Sequence, residues 1–98
     1  MSIPTAHGTP VNITATGDVY ANAATGGNDD CVLLGFYVNS TTGGTLVLRK
    51  GGSGGTAISG TITPAIGWHA FPASCPGGLH ATIANTLNAT FIVVPGVA

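Results

Sequence analysis

Short apolar runs separated by breaks rich in glycine, threonine and asparagine set the pattern of this chain, and no segment repeats its apolar positions at helical spacing. The pattern predicts strands. Cys31 to Asn39 (CVLLGFYVN) is nearly continuous in apolar, β-branched and aromatic residues and short for a helix, so it reads as a central strand covered on both faces. Ser40 to Gly44 then reads as a hairpin loop supplied with glycines for positive φ. Thr45 to Lys50 (TLVLRK) returns with Leu46 and Leu48 on one face and Val47 and Arg49 on the other. Gly51 to Gly55 makes a second loop before a strand over Thr56 to Thr63 that bends at Gly60, and Pro64 to Gly67 turns again. A short strand at Trp68 to Phe71 precedes a loop over Pro72 to Gly78. Leu79 to Ala84 alternates Leu79, Ala81 and Ile83 inward with His80 and Thr82 outward. Asn85 to Asn88 closes a last hairpin, and Ala89 to Val94 is the final strand.

Ahead of these, Val11 and Ile13, then Val19 and Tyr20, supply weak strands around Gly17, while Pro4 and Pro10 exclude helix from the start of the chain. Turn signals spaced about ten residues apart, with no amphipathic helix, predict an all-β fold. The expectation is a single antiparallel β-sandwich or jelly-roll-like domain over residues 11–98, preceded by an extended N-terminal arm over residues 1–10.

Composition sharpens this reading. The chain has 98 residues, enough for one core, and only 5% of them are charged, where a soluble domain usually carries about a quarter. Its charges are Asp18, Asp29, Asp30, Arg49 and Lys50, for a net charge of -1. So little repulsion between copies suits a domain that is packed into an assembly. The shortage also argues against an enzyme, since acid–base work and phosphate binding need clustered ionisable groups. Nucleic acid is not an expected partner, because two adjacent basic residues cannot supply a multi-contact electrostatic footprint. Nor is a membrane, because no run approaches the roughly 20 apolar residues of a spanning helix. Met1 to Pro10 (MSIPTAHGTP) lacks the basic start and apolar middle of a secretory signal, which predicts a chain that stays where it is made.

Few residues are candidates for chemistry. Cys31 and Cys75 are the only cysteines; two widely separated cysteines do not make a structural zinc site. They read either as two buried thiols in a reducing cytoplasm or as a disulfide formed after release into an oxidising medium. Gly51 to Thr56 (GGSGGT) resembles a phosphate cradle, but Lys50 precedes the loop and a strand follows it, so it reads as a hairpin loop. His7, His69 and His80 have no glutamate to complete a ligand set, and Asn28-Asp29-Asp30 lacks the alternating oxygens of a calcium loop. No metal or cofactor is expected. The triplets beginning at Asn12, Asn39 and Asn88 match the glycosylation pattern and read as coincidence in a threonine-rich chain. Trp68, the only tryptophan, is either a core keystone or an interface anchor, and its place inside a predicted strand favours the core. Ile3, Pro4, Val11, Arg49, Lys50 and Trp68 are the candidates for an interface with another subunit or with a capsid, the arm reaching onto a neighbour.

Read together, GFYVNSTTGGTLVLRKG, GGTAISGTI, GLHATI and NATFIVV resemble the strand chemistry of small tailed-bacteriophage virion proteins over roughly Cys31 to Val94. Cys75-Pro76 before Gly77-Gly78, and an end without a terminal aromatic, depart from that pattern. The resemblance implies a β-sandwich head or tail component with no catalytic residues. The first expectation is a capsid decoration (cement) protein, a homotrimer that binds the major capsid protein on the virion surface after assembly in the host cytoplasm. The alternatives are a tail or fibre component, and, from a different class, a small carbohydrate- or surface-binding module that stacks a ligand on Trp68, Tyr20 or Tyr37.

Overall fold

Two long strands carry the molecule. In the computed structural model, which describes residues 8–20, 30–51 and 54–95, β3 (Cys31–Lys50) and β6 (Leu79–Pro95) run antiparallel along nearly their whole length, from Cys31 opposite Pro95 to Lys50 opposite Leu79. Four shorter strands flank them: β1 (Thr9–Ile13), β2 (Gly17–Tyr20), β4 (Thr56–Ala57) and β5 (Gly67–Cys75). The all-β, antiparallel expectation holds, as one hydrogen-bonded sheet of six strands. Among the described residues there is no helix, and so none long and apolar enough to cross a membrane.

The sheet has two wings because β3 and β6 change flanking partners midway. In the first wing, the order is β1, the C-terminal half of β6, the N-terminal half of β3, then β5. In the second, it is β2, the N-terminal half of β6, the C-terminal half of β3, then β4. A straight strand of 20 residues would span roughly 66 Å at about 3.3 Å per residue, yet the longest dimension of the molecule is 41 Å. The two ends of β3 also come to one place. Cys31 faces Cys75 and Lys50 faces Leu79, with only Pro76 to Gly78 between those two partners, and Gly51 donates its N–H to Gly78 O at 3.1 Å. The long strands therefore bend back on themselves.

The bend lies where the sequence predicts a hairpin, and that expectation is corrected. Ser40 to Gly44 does not reverse the chain; β3 continues through it. Thr42 and Gly43 both oppose Thr86, a bulge in which the extra residue turns the strand without ending it, and Gly43 takes φ 62° there. Across from it Asn85 adopts φ 61° and donates its side-chain amide to Gly43 O at 2.9 Å. Asn85 to Asn88 is thus a corner inside β6, not a closing hairpin. Gly43 supplies the positive φ read from the sequence and Asn85 adds its own, while the ladder to the partner strand continues through both.

Other limits shift as well. β5 extends to Cys75 through the predicted loop at Pro72, which an edge strand tolerates. Thr9 and Pro10, expected in the arm, lie in edge strand β1 opposite Val93 and Ile92. The predicted strand over Thr56 to Thr63 reduces to two residues of β4 and a bridge between Ile62 and Leu46.

The core follows from alternation. Cys31, Leu33, Phe36 and Val38 of β3 and Leu87, Ala89, Phe91 and Val93 of β6 bury the inner side of the first wing. Leu46 and Leu48, with Leu79 and Ala81, do the same for the second. Phe36 and Phe91 meet with ring centroids 5.3 Å apart, and each such burial stabilises by about 1.5–3 kcal/mol. As read from the sequence, Leu79 and Ala81 point inward, and so do Leu46 and Leu48.

Candidate functional site

The outer face of the first wing is the one that the core leaves over. Side chains alternate along a strand, so the inward run of β3 leaves Val32, Leu34, Tyr37 and Asn39 outward, and that of β6 leaves Asn88, Thr90, Ile92 and Val94. Val32, Leu34, Ile92 and Val94 are half-buried yet do not join the core cluster. Trp68 is 50% exposed, Tyr37 46% and Ile66 64%. The continuous apolar run of β3 predicted a strand covered on both faces. Only its inner face is fully buried.

Register assembles this face into rows. Asn12 of β1, Thr90 of β6, Tyr37 of β3 and Trp68 of β5 stand side by side across all four strands. In the next row Gly35 explains how the indole lies. A Cβ on Gly35 would sit 2.7 Å from the Trp68 ring and 2.5 Å from His69 O, so only glycine lets the indole approach the backbone of β3. Beneath the sheet His69 stacks on Phe36 at a centroid distance of 5.2 Å and donates Nε2–H to Ala65 O at 2.8 Å.

Beside the aromatics stands an uncharged polar cluster. Asn12 Nδ2 donates to Asn88 Oδ1 at 2.7 Å and to Thr90 Oγ1 at 3.1 Å. Asn39 Nδ2 donates to the same two acceptors from the other side, at 3.1 and 3.0 Å. The amide oxygens of Asn12 and Asn39 take no part in these bonds. All three glycosylation-like triplets send their asparagine to this cluster, and Asn88-Ala89-Thr90 also sends its threonine, because Asn-x-Thr has the period of a strand, which returns both residues to one face.

The second wing presents different chemistry. Asp18, His80, Arg49 and Ala57 form its cross-strand row. His80, expected to point outward into solvent, is buried and donates Nδ1–H to Asp18 Oδ1 at 2.9 Å. Arg49 reaches Gly55 O at 3.4 Å, and Lys50 ends the strand half-buried. His69 and His80 lie in different wings, and among the described residues no group of three or more His, Cys, Asp or Glu is placed to hold a metal.

Cys31 and Cys75, far apart in sequence, are brought directly opposite each other. Both are fully buried. Their thiols share a hydrogen bond, which together with burial pushes Cys31 far above its ordinary value. Accepting that bond brings Cys75 down to about 7 against the opposing effect of burial, with help from Leu33 and the Lys50 charge.

Of the interface candidates, Ile3 and Pro4 lie outside the described residues. Val11 packs half-buried against the core. Trp68 is corrected: it is an outward residue, not a core keystone. Its parity with Pro72 and Ser74, opposite to Phe71 and Cys75, carries that signal in the sequence. Sequence reasoning missed Ile66, the Gly35 notch and the amide cluster. No family model, curated protein or solved structure matches the chain.

Proposed function

We propose that this chain is a structural module of a tailed-phage virion, a capsid decoration protein that docks on the major capsid protein through the outer face of its first wing. One observation carries the reading: the central strand is apolar on both sides, while Tyr37, Trp68 and Ile66 remain about half exposed or more. Large exposed aromatics beside half-buried aliphatics make a surface that gains by being covered. The low charge removes the repulsion that would oppose crowding. In this reading the bent wings pack face to face as a sandwich, three copies form the docking unit, and binding only to the finished shell stabilises it by mass action.

The test is to add the purified chain to shells that lack it and measure co-sedimentation and the heat resistance of the particles. The wild-type chain is expected to bind and protect, and W68A combined with Y37S to lose both while remaining folded. Shells that gain no resistance from the wild-type chain would remove the decoration role, and labelling at the tail alone would move the chain to a tail or fibre.

A second reading has its own observation. An exposed indole and phenol in register with neutral amides and a threonine hydroxyl form the kind of platform on which an uncharged sugar stacks while its hydroxyls are hydrogen-bonded. Trp68 emission that shifts on titration with a neutral oligosaccharide, and does so less in N39A, supports it. An unchanged spectrum at saturating sugar excludes it.

A further inference from the structure

We infer that Cys31 and Cys75 are a modification site, a dithiol built to close into a cross-strand disulfide that staples edge strand β5 to the centre of the sheet. The observation is register. Cys31 is the first residue of β3, Cys75 is the last of β5, and the two are direct antiparallel partners. Opposed residues in such a ladder have Cα atoms about 4.5–5.5 Å apart, inside the roughly 4.4–6.8 Å that a disulfide spans. Both side chains point to the inner face and both are fully buried. Closing the bond joins two residues that the ladder already pairs and needs no change of strand register.

The location gives the bond a purpose. Among the described residues β5 pairs with β3 alone and has no partner on its other side. Past Cys75 the chain leaves the ladder for a turn, bonded from Gly78 N–H to Cys75 O at 3.2 Å, from Gly77 N–H to Asp30 Oδ1 at 3.0 Å and from Gly51 N–H to Gly78 O at 3.1 Å, before β6 begins at Leu79. The end of an edge strand opens more readily than the centre of the sheet. β5 is also the strand that carries Trp68. A bridge at its end would close the loop from Val32 to Ser74 and hold the aromatic face in register, whatever that face binds.

The chemistry is thiol–disulfide exchange with a low-molecular-weight disulfide such as oxidised glutathione. When the strand end opens, the Cys75 thiolate attacks one sulfur of the oxidant; the S–S bond of the oxidant breaks and one glutathione thiolate leaves. The Cys31 thiolate then attacks Cys75 Sγ in the mixed disulfide, the protein S–S bond forms and the second glutathione leaves. Two protein thiols are oxidised, one small disulfide is reduced to two thiols, and the two cysteine protons end on them. In a reducing compartment the pair stays as two small buried thiols. Release into an oxidising medium closes it. The inference does not depend on the docking reading, and its test uses no shell.

The full chain, purified under reductant, is incubated folded with oxidised glutathione and, in parallel, refolded from denaturant in a glutathione redox buffer. The expected product is monomeric and lighter by two hydrogens, with neither thiol alkylatable, the Cys31 and Cys75 peptides linked in the unreduced digest, and a thermal midpoint that rises and falls back with dithiothreitol. The C31A/C75A variant is expected to show no redox response in any readout. If the variant does not fold, the reversible shift of the wild-type midpoint still decides. Two alkylatable thiols after refolding in the redox buffer, a glutathione adduct as the end product, or covalent dimers would each overturn the inference.

Discussion

The two wings are built on the same pair of strands and bury the same kind of inner face, yet their outer faces are opposites. In the first, the row across the strands is Asn12, Thr90, Tyr37 and Trp68; in the second it is Asp18, His80, Arg49 and Ala57. The first offers aromatic area and neutral amides with no charge in the row. In the second, two of the charges have internal partners, Asp18 with His80 and Arg49 with Gly55 O. Inner faces are alike because both contribute to one buried apolar cluster.

The largest test of this comparison asks whether the wings are one folding unit. F91A in the first wing should cost about 3–5 kcal/mol and L48A in the second about 2–5 kcal/mol, each read by chemical denaturation as a single transition. Two separated transitions would break the wings apart. Next, G35A inserts a methyl where the indole lies and should cost about 1–3 kcal/mol, with a change in Trp68 emission that L48A does not produce. Removing the charged partner of the second wing, D18A, leaves the buried His80 Nδ1 unpaired and should cost about 1 kcal/mol. The outward aromatics should matter least to stability. W68A is expected to change it by no more than about 1 kcal/mol while abolishing whatever the first wing binds, which separates a binding face from a structural one.

The cysteine pair, at the outer edge of the first wing, sharpens the contrast in another currency. Because Cys75 accepts a hydrogen bond from Cys31 and its thiol is lowered to about 7, thiolate ultraviolet absorbance of the reduced protein should show one thiol ionising near neutrality and the other well above it. In C31A the donor is gone, so the remaining thiol should ionise at higher pH. A single step at the ordinary thiol value in the wild-type protein would contradict the contact.

Much of this was legible along the chain. Alternation placed Leu46, Leu48, Leu79 and Ala81 inward, and the absence of helical spacing set an all-β fold, because a strand's period of two is written in local sequence. The turn signals were harder. Thr42-Gly43-Gly44 and Asn85 announce positive φ, but the same residues serve a hairpin or a bulge, and the choice depends on whether a partner strand lies alongside. Ser40 to Gly44 bends beside β6 for that reason.

What the residues determined alone was period, polarity and the places where backbone could turn. What only the folded chain decided was pairing: that β3 and β6 run together around a corner, that Trp68 rests on the bare backbone of Gly35, that Asn12, Asn39 and Asn88 meet, and that Cys31 faces Cys75. These are contacts between distant residues. Local preference fixes which side of a strand a residue occupies, but which neighbour stands next to it is settled by the register that buries the most apolar surface at once.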